Sequence, residues 1–326
     1  MGNNNRLRPL GAVVALALGV SALAGSAAAA TTAAVAPLPL AESSPVGWAS
    51  QSGGTTGGTG GTTVTVTSAS QLTDYASRSG SYVIKVNSTI SLSSMTKVTS
   101  NKTIIGVGTA GRITGYGLNV NQANNVVIRN LTFTGSADDA INVQYSTHVW
   151  IDHNDLSNAY DGATDIKRAS DYVTVSWNHY HDQNKNALLG HDDGNGSEDL
   201  GHLRVTYVHN WFDGTVQRNP RVRFGSPVHV LNNYYNGNSG YGVASTCDAG
   251  VLVEKNYFEK VEHPTVVQTG DSPEGDLRLV GNYLTGSGTA ESRNASSVPN
   301  VPYSYSADSA STVKSVVTAG AGVGKI

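Results

Sequence analysis

The stretch Tyr172-Val173-Thr174-Val175-Ser176-Trp177-Asn178 alternates β-branched with polar residues and stops at an asparagine. A two-residue period belongs to a strand rather than a helix. The same form recurs at 126–130, 149–154, 203–210, 228–233, 251–256 and 277–282, and in most copies an aromatic residue follows the asparagine. Successive asparagines, from Asn130 to Asn282, lie 24, 24, 32, 23, 23 and 26 residues apart. A strand at that interval, with Gly, Asn, Asp and Ser between, describes a chain that winds once per repeat and lays each strand on the one before. The expected fold is all-β, a parallel β-helix. An asparagine at one place in every coil can bond the turn backbone and its counterpart one coil along. The alternative is a sandwich or propeller of loosely similar strands, although propeller blades need about twice this period.

Composition agrees with many strands and tight turns: 37 Gly, 15 Tyr and only 14% charged residues. Residues 1–30 carry Arg6 and Arg8, an apolar stretch from Leu10 to Leu23 and the small residues Ala28-Ala29-Ala30, the pattern of a secretory signal peptide. That stretch is too short to span a bilayer, so a soluble, exported, extracellular protein is expected, with no membrane partner. Of 21 basic residues, 19 remain beyond Arg6 and Arg8, against 24 acidic, so the exported part carries about −5. That balance argues against nucleic acid and anionic membranes as partners. Cys247 is the sole cysteine and is expected to be buried and inert.

Residues 31–62, rich in Ala, Pro, Ser, Gly and Thr, read as a flexible linker or pro-segment. One domain then fills 63–326. The ends of a coil expose strand edges and need covers. Leu72, Tyr75 and Ala76 at one end, and Val313, Val316 and Val317 at the other, have the spacing of short capping helices.

Indexing charges against the repeat asparagines brings out the chemistry. Asp139 lies 9 after Asn130, Asp161 and Asp165 lie 7 and 11 after Asn154, Lys185 lies 7 after Asn178, and Arg218 lies 8 after Asn210. In a coil these residues project from one side of four consecutive turns, about 14 Å in all. Three carboxylates from adjacent turns repel one another unless a cation sits among them, and a hard ion such as Ca²⁺ prefers oxygen ligands. Lys and Arg beside such a cation attract an acidic polymer.

Asp161-Gly162-Ala163-Thr164-Asp165-Ile166-Lys167, Lys185-Asn186-Ala187-Leu188-Leu189-Gly190 and Arg218-Asn219-Pro220-Arg221-Val222-Arg223-Phe224-Gly225, with Val149-Trp150-Ile151-Asp152-His153 and Val173-Thr174-Val175-Ser176, form an ordered set. This set resembles the motifs of polysaccharide lyase family 1, the pectate and pectin lyases, over nearly all of 63–326. The resemblance implies a right-handed single-stranded parallel β-helix that cleaves polygalacturonate by calcium-dependent β-elimination, acting as a monomer. It implies Asp139, Asp161 and Asp165 as calcium ligands and Lys185 and Arg223 as holders of the uronate carboxylate. Lys167 and Arg221 are then further substrate contacts, and Arg218 is the base that takes the C5 proton. Family members often carry another Asp where this chain has Ala137, and Asp138 is expected to point elsewhere. A guanidinium ordinarily keeps its proton to above about pH 12, so an alkaline optimum is expected.

A pectin lyase lacks the calcium carboxylates. A polygalacturonase would hydrolyse with paired acids, for which Asp138 and Asp139 are the candidates. A non-catalytic carbohydrate-binding coil has no need of Lys185 or Arg218. Outside this set, His179, His181 and Asp182 read as stacking and turn residues, and Trp150 to His153 as structural. Asp192 and Asp193 read as a loop that either borders the groove or is solvated.

Overall fold

A computed structural model describes Met1 and residues 42–326. The signal peptide expected at 1–30 lies, apart from Met1, outside the described residues. Three parallel sheets of ten, nine and eight strands stack as a right-handed β-solenoid of about ten turns. Right-handed winding is the sense in which twisted parallel strands connect. The asparagine repeat marks one strand per turn, and each turn holds two more. Those strands span only two to five residues, as at Leu188–Leu189 and Asp155–Ser157.

The core is a set of side-chain rows. In the ten-stranded sheet Val126, Val149, Val173 and Val205 pair in register, as do Ile128, Ile151, Val175 and Tyr207, and all eight are fully buried. A neighbouring column stacks Tyr180, Phe212, Tyr235 and Phe258 with ring centroids 4.9, 5.1 and 4.4 Å apart. Each residue packs on its counterpart in the next turn, so the core is continuous through the coil.

The asparagine ladder runs from Asn154 through Asn178, Asn210, Asn233 and Asn256 to Asn282. Each Nδ2 donates to the next Oδ1 at 2.9–3.0 Å. Asn130 is not a rung. The register pairs Arg129 with Asp152, and the Leu131 N–H donates to Asn154 Oδ1, so Leu131 holds the ladder position. Asn130 sits one place earlier, in the left-handed region at φ 56°, like His153 and Trp177. Its side chain bonds Gly106, Gly108 and Gly324. Asparagine favours both kinds of position, a buried amide ladder and a left-handed corner, and composition does not separate them.

Helix α1 (Ala69–Ser77) covers the first turns as expected, with Leu72 and Ala76 fully buried in the core. Helix α2 (Gly196–Asp199) lies in a long turn. Helix α3 (Val313–Gly320) is placed differently from the expectation. Val313 and Val317 pack on Trp177 and Tyr234, so α3 runs along the side of the coils and not over their end.

The linker reading of 31–62 fails for its described part. Gly47–Ser50 is a 3-10 turn against the ten-stranded sheet. Trp48, 4% exposed, donates from Nε1 to the Pro227 carbonyl, and the backbone N–H groups of Trp48 and Ala49 donate to Thr206 and Thr174. Gly57 and Gly58 approach the sheet so closely that a Cβ at 58 would lie 1.9 Å from the Tyr82 carbonyl oxygen. The glycines serve contact here, not flexibility. Thr62–Val66 then forms the first strand. Cys247 is buried, as expected.

Candidate active site

The eight-stranded sheet carries the charged groove. Its strands read as alternating pairs: Leu118-Asn119-Val120-Asn121, Ile141-Asn142-Val143-Gln144 and Thr164-Asp165-Ile166-Lys167 align in register. The apolar members face the core, so Asn119, Asn142 and Asp165 form one outward row, and Asn121, Gln144 and Lys167 another. Leu188 and Leu189 continue the register to Arg221 and Val222, which places Arg221 and Arg223 on the same face two turns on. This alternation is a signal in the sequence that finds Asp165, Lys167, Arg221 and Arg223 together without any repeat asparagine.

Asp139, Asp161, Asp165, Lys167, Lys185 and Arg218 form one connected cluster. Lys167 Nζ lies 2.9 Å from Asp139 Oδ2 and 3.6 Å from Asp165 Oδ2. Lys185 Nζ lies 2.9 Å from Asp161 Oδ1. Arg218 Nη1 stands between Asp161, at 3.6 Å, and Asp165, at 4.0 Å. Lys167, expected as a substrate contact, instead spans two of the three carboxylates. Asp138 is exposed, and its Oδ1 accepts from the N–H of Asp139 in its own turn. It does not form a facing pair with Asp139, which is 4% exposed.

The backbone supports this packing at named points. Gly162 donates its N–H to Asp139 Oδ1 at 2.9 Å, and a Cβ there would fall 1.9 Å from Asp165 Oδ1. Arg218 adopts a left-handed φ of 61°, uncommon for a long side chain and the kind of strained backbone that clusters at functional sites. Asn219 anchors it: Oδ1 accepts from Asn186 and Thr215, and Nδ2 donates to the Tyr241 carbonyl. Arg218 Nε is buried without a hydrogen-bond partner among the described residues.

Electrostatics separate the three carboxyls. Burial, and then the charge of Asp139, pushes Asp165 up to about 7. Burial also raises Asp139, against the pull of Lys167. At Asp161 burial acts in the same direction, but the Lys185 hydrogen bond and the charges of Lys185, Arg218 and Lys167 outweigh it and hold the group low. Lys167 is raised, because Asp165 and Asp139 overcome its burial. Burial, with Arg223 beside it, lowers Arg221.

Arg223 and Arg221 stand apart from this cluster. Arg223 donates to Asp193 Oδ1 and to the Gly190 carbonyl, and Arg221 donates to Ser272, which donates in turn to Asp193 Oδ2. Burial raises Asp193, but its bonds from Ser272 and Arg223 prevail and hold it down at about 2. Asp193 and Ser272 thus belong to the groove. Asp193 was visible only as one of two acids in a loop, and Ser272 carries no signal at all. A depression of about 630 Å³, lined by Asp193, Arg221, Tyr241 and Gln268 among others, continues the groove past them. Trp150 lies on the ten-stranded sheet, where its Nε1 donates to Ser176, in keeping with the structural reading.

A solenoid with a row of acids and bases along one sheet defines a class of enzymes that act on extended polymers. Residues 20–326 match the pectate lyase family model, and the chain belongs to the pectate lyase family; it is a polysaccharide lyase. It is 39% identical over 308 residues to a pectate trisaccharide-lyase of Bacillus licheniformis, covering 88% of this chain and 89% of that one. It is 42% identical over 227 residues to a pectate lyase of Emericella nidulans, covering 67% and 69%. The crystal structure of a pectate lyase from Bacillus sp. N165 in complex with trigalacturonate superposes with a TM-score of 0.76 at 30% identity, over 86% of this chain and 99% of that one.

Proposed function

We propose that the chain is an exported, monomeric pectate lyase that cleaves polygalacturonate by calcium-dependent β-elimination. The observation that carries this reading is the convergence of Asp139, Asp161 and Asp165 with Lys167, Lys185 and Arg218 on one face of consecutive turns. The pattern of residues 1–30 supports export.

The donor set fits a hard cation. Asp139, Asp161 and Asp165 offer only carboxylate oxygens, and the burial and then the repulsion from Asp139 that raise Asp165 are both offset by positive charge. Calcium held there supplies positive charge against the substrate carboxylate and so makes the adjacent C–H more acidic. Lys185 lies against Asp161 at the groove surface and is free to turn its ammonium to a uronate. Lys167 keeps Asp139 and Asp165 in place. Arg218 lies between Asp161 and Asp165. Having first given up a proton to solvent, its neutral guanidine takes the C5 proton as the electron pair forms the C4–C5 double bond and expels the C4 oxygen with the departing chain, which takes a proton from water. Lys185, Arg221 and Arg223 stabilise the charge that develops on the uronate.

An ultraviolet absorbance assay for the unsaturated product tests the reading. Activity on polygalacturonate is lost on chelation, returns with Ca²⁺, and falls by at least about 10³-fold in a folded Arg218→Ala variant. Activity untouched by chelator, or kept by that variant, overturns the assignment. Activity confined to methyl-esterified polymer points to the pectin lyase branch.

A further inference from the structure

The nine-stranded sheet carries a second polar cluster, away from the groove. His179 and His181 are alternate residues of the strand His179–His181, so both imidazoles stand on its outer face. Asp155 pairs in register with His179 one turn earlier, and Asp213 with His181 one turn later. Asp155 Oδ1 lies 3.0 Å from His181 Nε2, and its Oδ2 lies 3.3 Å from His179 Nδ1. One ligand atom from each residue can be chosen so that all three lie within 4.8 Å of one another. In a tetrahedral site with metal–ligand bonds of about 2.05 Å, neighbouring donor atoms stand about 3.3 Å apart. The two measured contacts, 3.0 and 3.3 Å, are near that length but run to different oxygens of Asp155, of which one would be the metal ligand.

The far nitrogen of His181 is hydrogen-bonded to a carboxylate, while that of His179 has one nearby without a hydrogen bond. His181 Nδ1 lies 2.8 Å from Asp182 Oδ2, and His179 Nε2 lies 3.5 Å from Asp213 Oδ2. A carboxylate that keeps the proton on the far nitrogen leaves the near lone pair free for a metal and fixes the ring. Trp211 stacks on His179 with centroids 4.2 Å apart, which further limits rotation. The three ligand residues are each partly exposed, so an ion can reach them.

We propose that Asp155, His179 and His181 form a binding site for a divalent transition-metal ion of the zinc class, with water completing the shell. The site is distinct in place and chemistry from the carboxylate cluster of the groove. Two imidazoles favour zinc, nickel or copper over calcium, which prefers oxygen. Its ligands come from two successive turns of the nine-stranded sheet, so a bound ion staples one coil to the next.

The test uses the full exported chain, stripped of metal and returned to saturating Ca²⁺, then titrated with Zn²⁺ by calorimetry and by thermal melting. One Zn²⁺ binds per chain, and at 100 times its dissociation constant the melting temperature rises by roughly 5 °C. His179→Gln and His181→Gln each weaken binding by at least about 100-fold. Asp182→Asn, at an exposed position that asparagine tolerates, weakens it by about 10-fold. Elimination activity in Ca²⁺ is unchanged in all three. No Zn²⁺ uptake by the parent chain, or uptake that survives both histidine substitutions, overturns the proposal and leaves a hydrogen-bonded His–Asp cluster.

Discussion

Arg223 and Asp193 face one another across the groove wall, Nε to Oδ1 at 2.5 Å, with Asp193 also accepting from Ser272. The pair fixes the direction of a guanidinium that is only 8% exposed. Removing the carboxylate leaves the Gly190 carbonyl as the guanidinium's one remaining hydrogen-bond partner among the described residues and loosens its direction. Asp193→Ala raises KM for polygalacturonate, lowering kcat/KM about 10-fold with little change in kcat, a loss of about 1.4 kcal/mol. Asp193→Asn keeps an acceptor oxygen and loses less. An unchanged KM in the alanine variant shows that Asp193 does not position Arg223.

The ladder and the corner make unequal demands. Asn178 accepts from the Asn154 N–H and Nδ2 and donates to the Ile151 carbonyl and to Asn210. Asn178→Ala strands these groups in the interior and costs about 3 kcal/mol. Asn130→Ala loses bonds to a turn and to the C-terminal segment and costs about 1 kcal/mol. Denaturant melts of the two variants compare them directly, and equal losses contradict the register in which Leu131 precedes Asn154.

The first of these asparagines shows where reading ahead of the structure succeeds and where it stops. The 23-residue period is legible because a rung that both donates to one neighbour and accepts from another calls for an amide such as asparagine, so six of the seven marks fall at equivalent places. Asn130 misleads because a left-handed corner selects the same residue for another reason. The charges of the groove are legible because they outnumber any turn requirement. Asp193 is not, since a loop of Asp, Gly and Asn looks alike whether it solvates itself or closes on an arginine 30 positions away. The ordered Gly/Thr segment escapes for a related cause: close backbone approach and chain flexibility call for the same composition.

Trp48 belongs to the folded body. Its ring meets Tyr303 edge-on at 5.5 Å, with the Arg204 guanidinium 5.5 Å away over its face. Trp48→Ala lowers stability by about 3 kcal/mol. A chain starting at residue 62 melts below one starting at residue 42. Equal melting temperatures for those two chains contradict a structural role for the segment.

Glu254 ties the C-terminal segment to the ten-stranded sheet, since Oε2 accepts from Tyr305 at 2.6 Å and lies 3.3 Å from His229 Nε2. The His229 bond, then that of Tyr305, holds the carboxyl below its ordinary value. A carboxyl held low in the folded state adds stability that is fully present above its unfolded value, about 4.3, and is lost as pH falls below it. The stability gap between the parent chain and Glu254→Gln is therefore constant above about pH 5 and narrows toward pH 3. A gap that stays level in acid rules this linkage out.

The turn between Asn178 and Asn210 is 32 residues long where its neighbours take 23 or 24, yet both asparagines remain in hydrogen-bond contact. The surplus lies between Leu189 and Val205 and includes α2 and Asp193. Length can thus be added at this bend without moving any rung, so the wall of the groove is free to vary in evolution or by design while the scaffold stays the same.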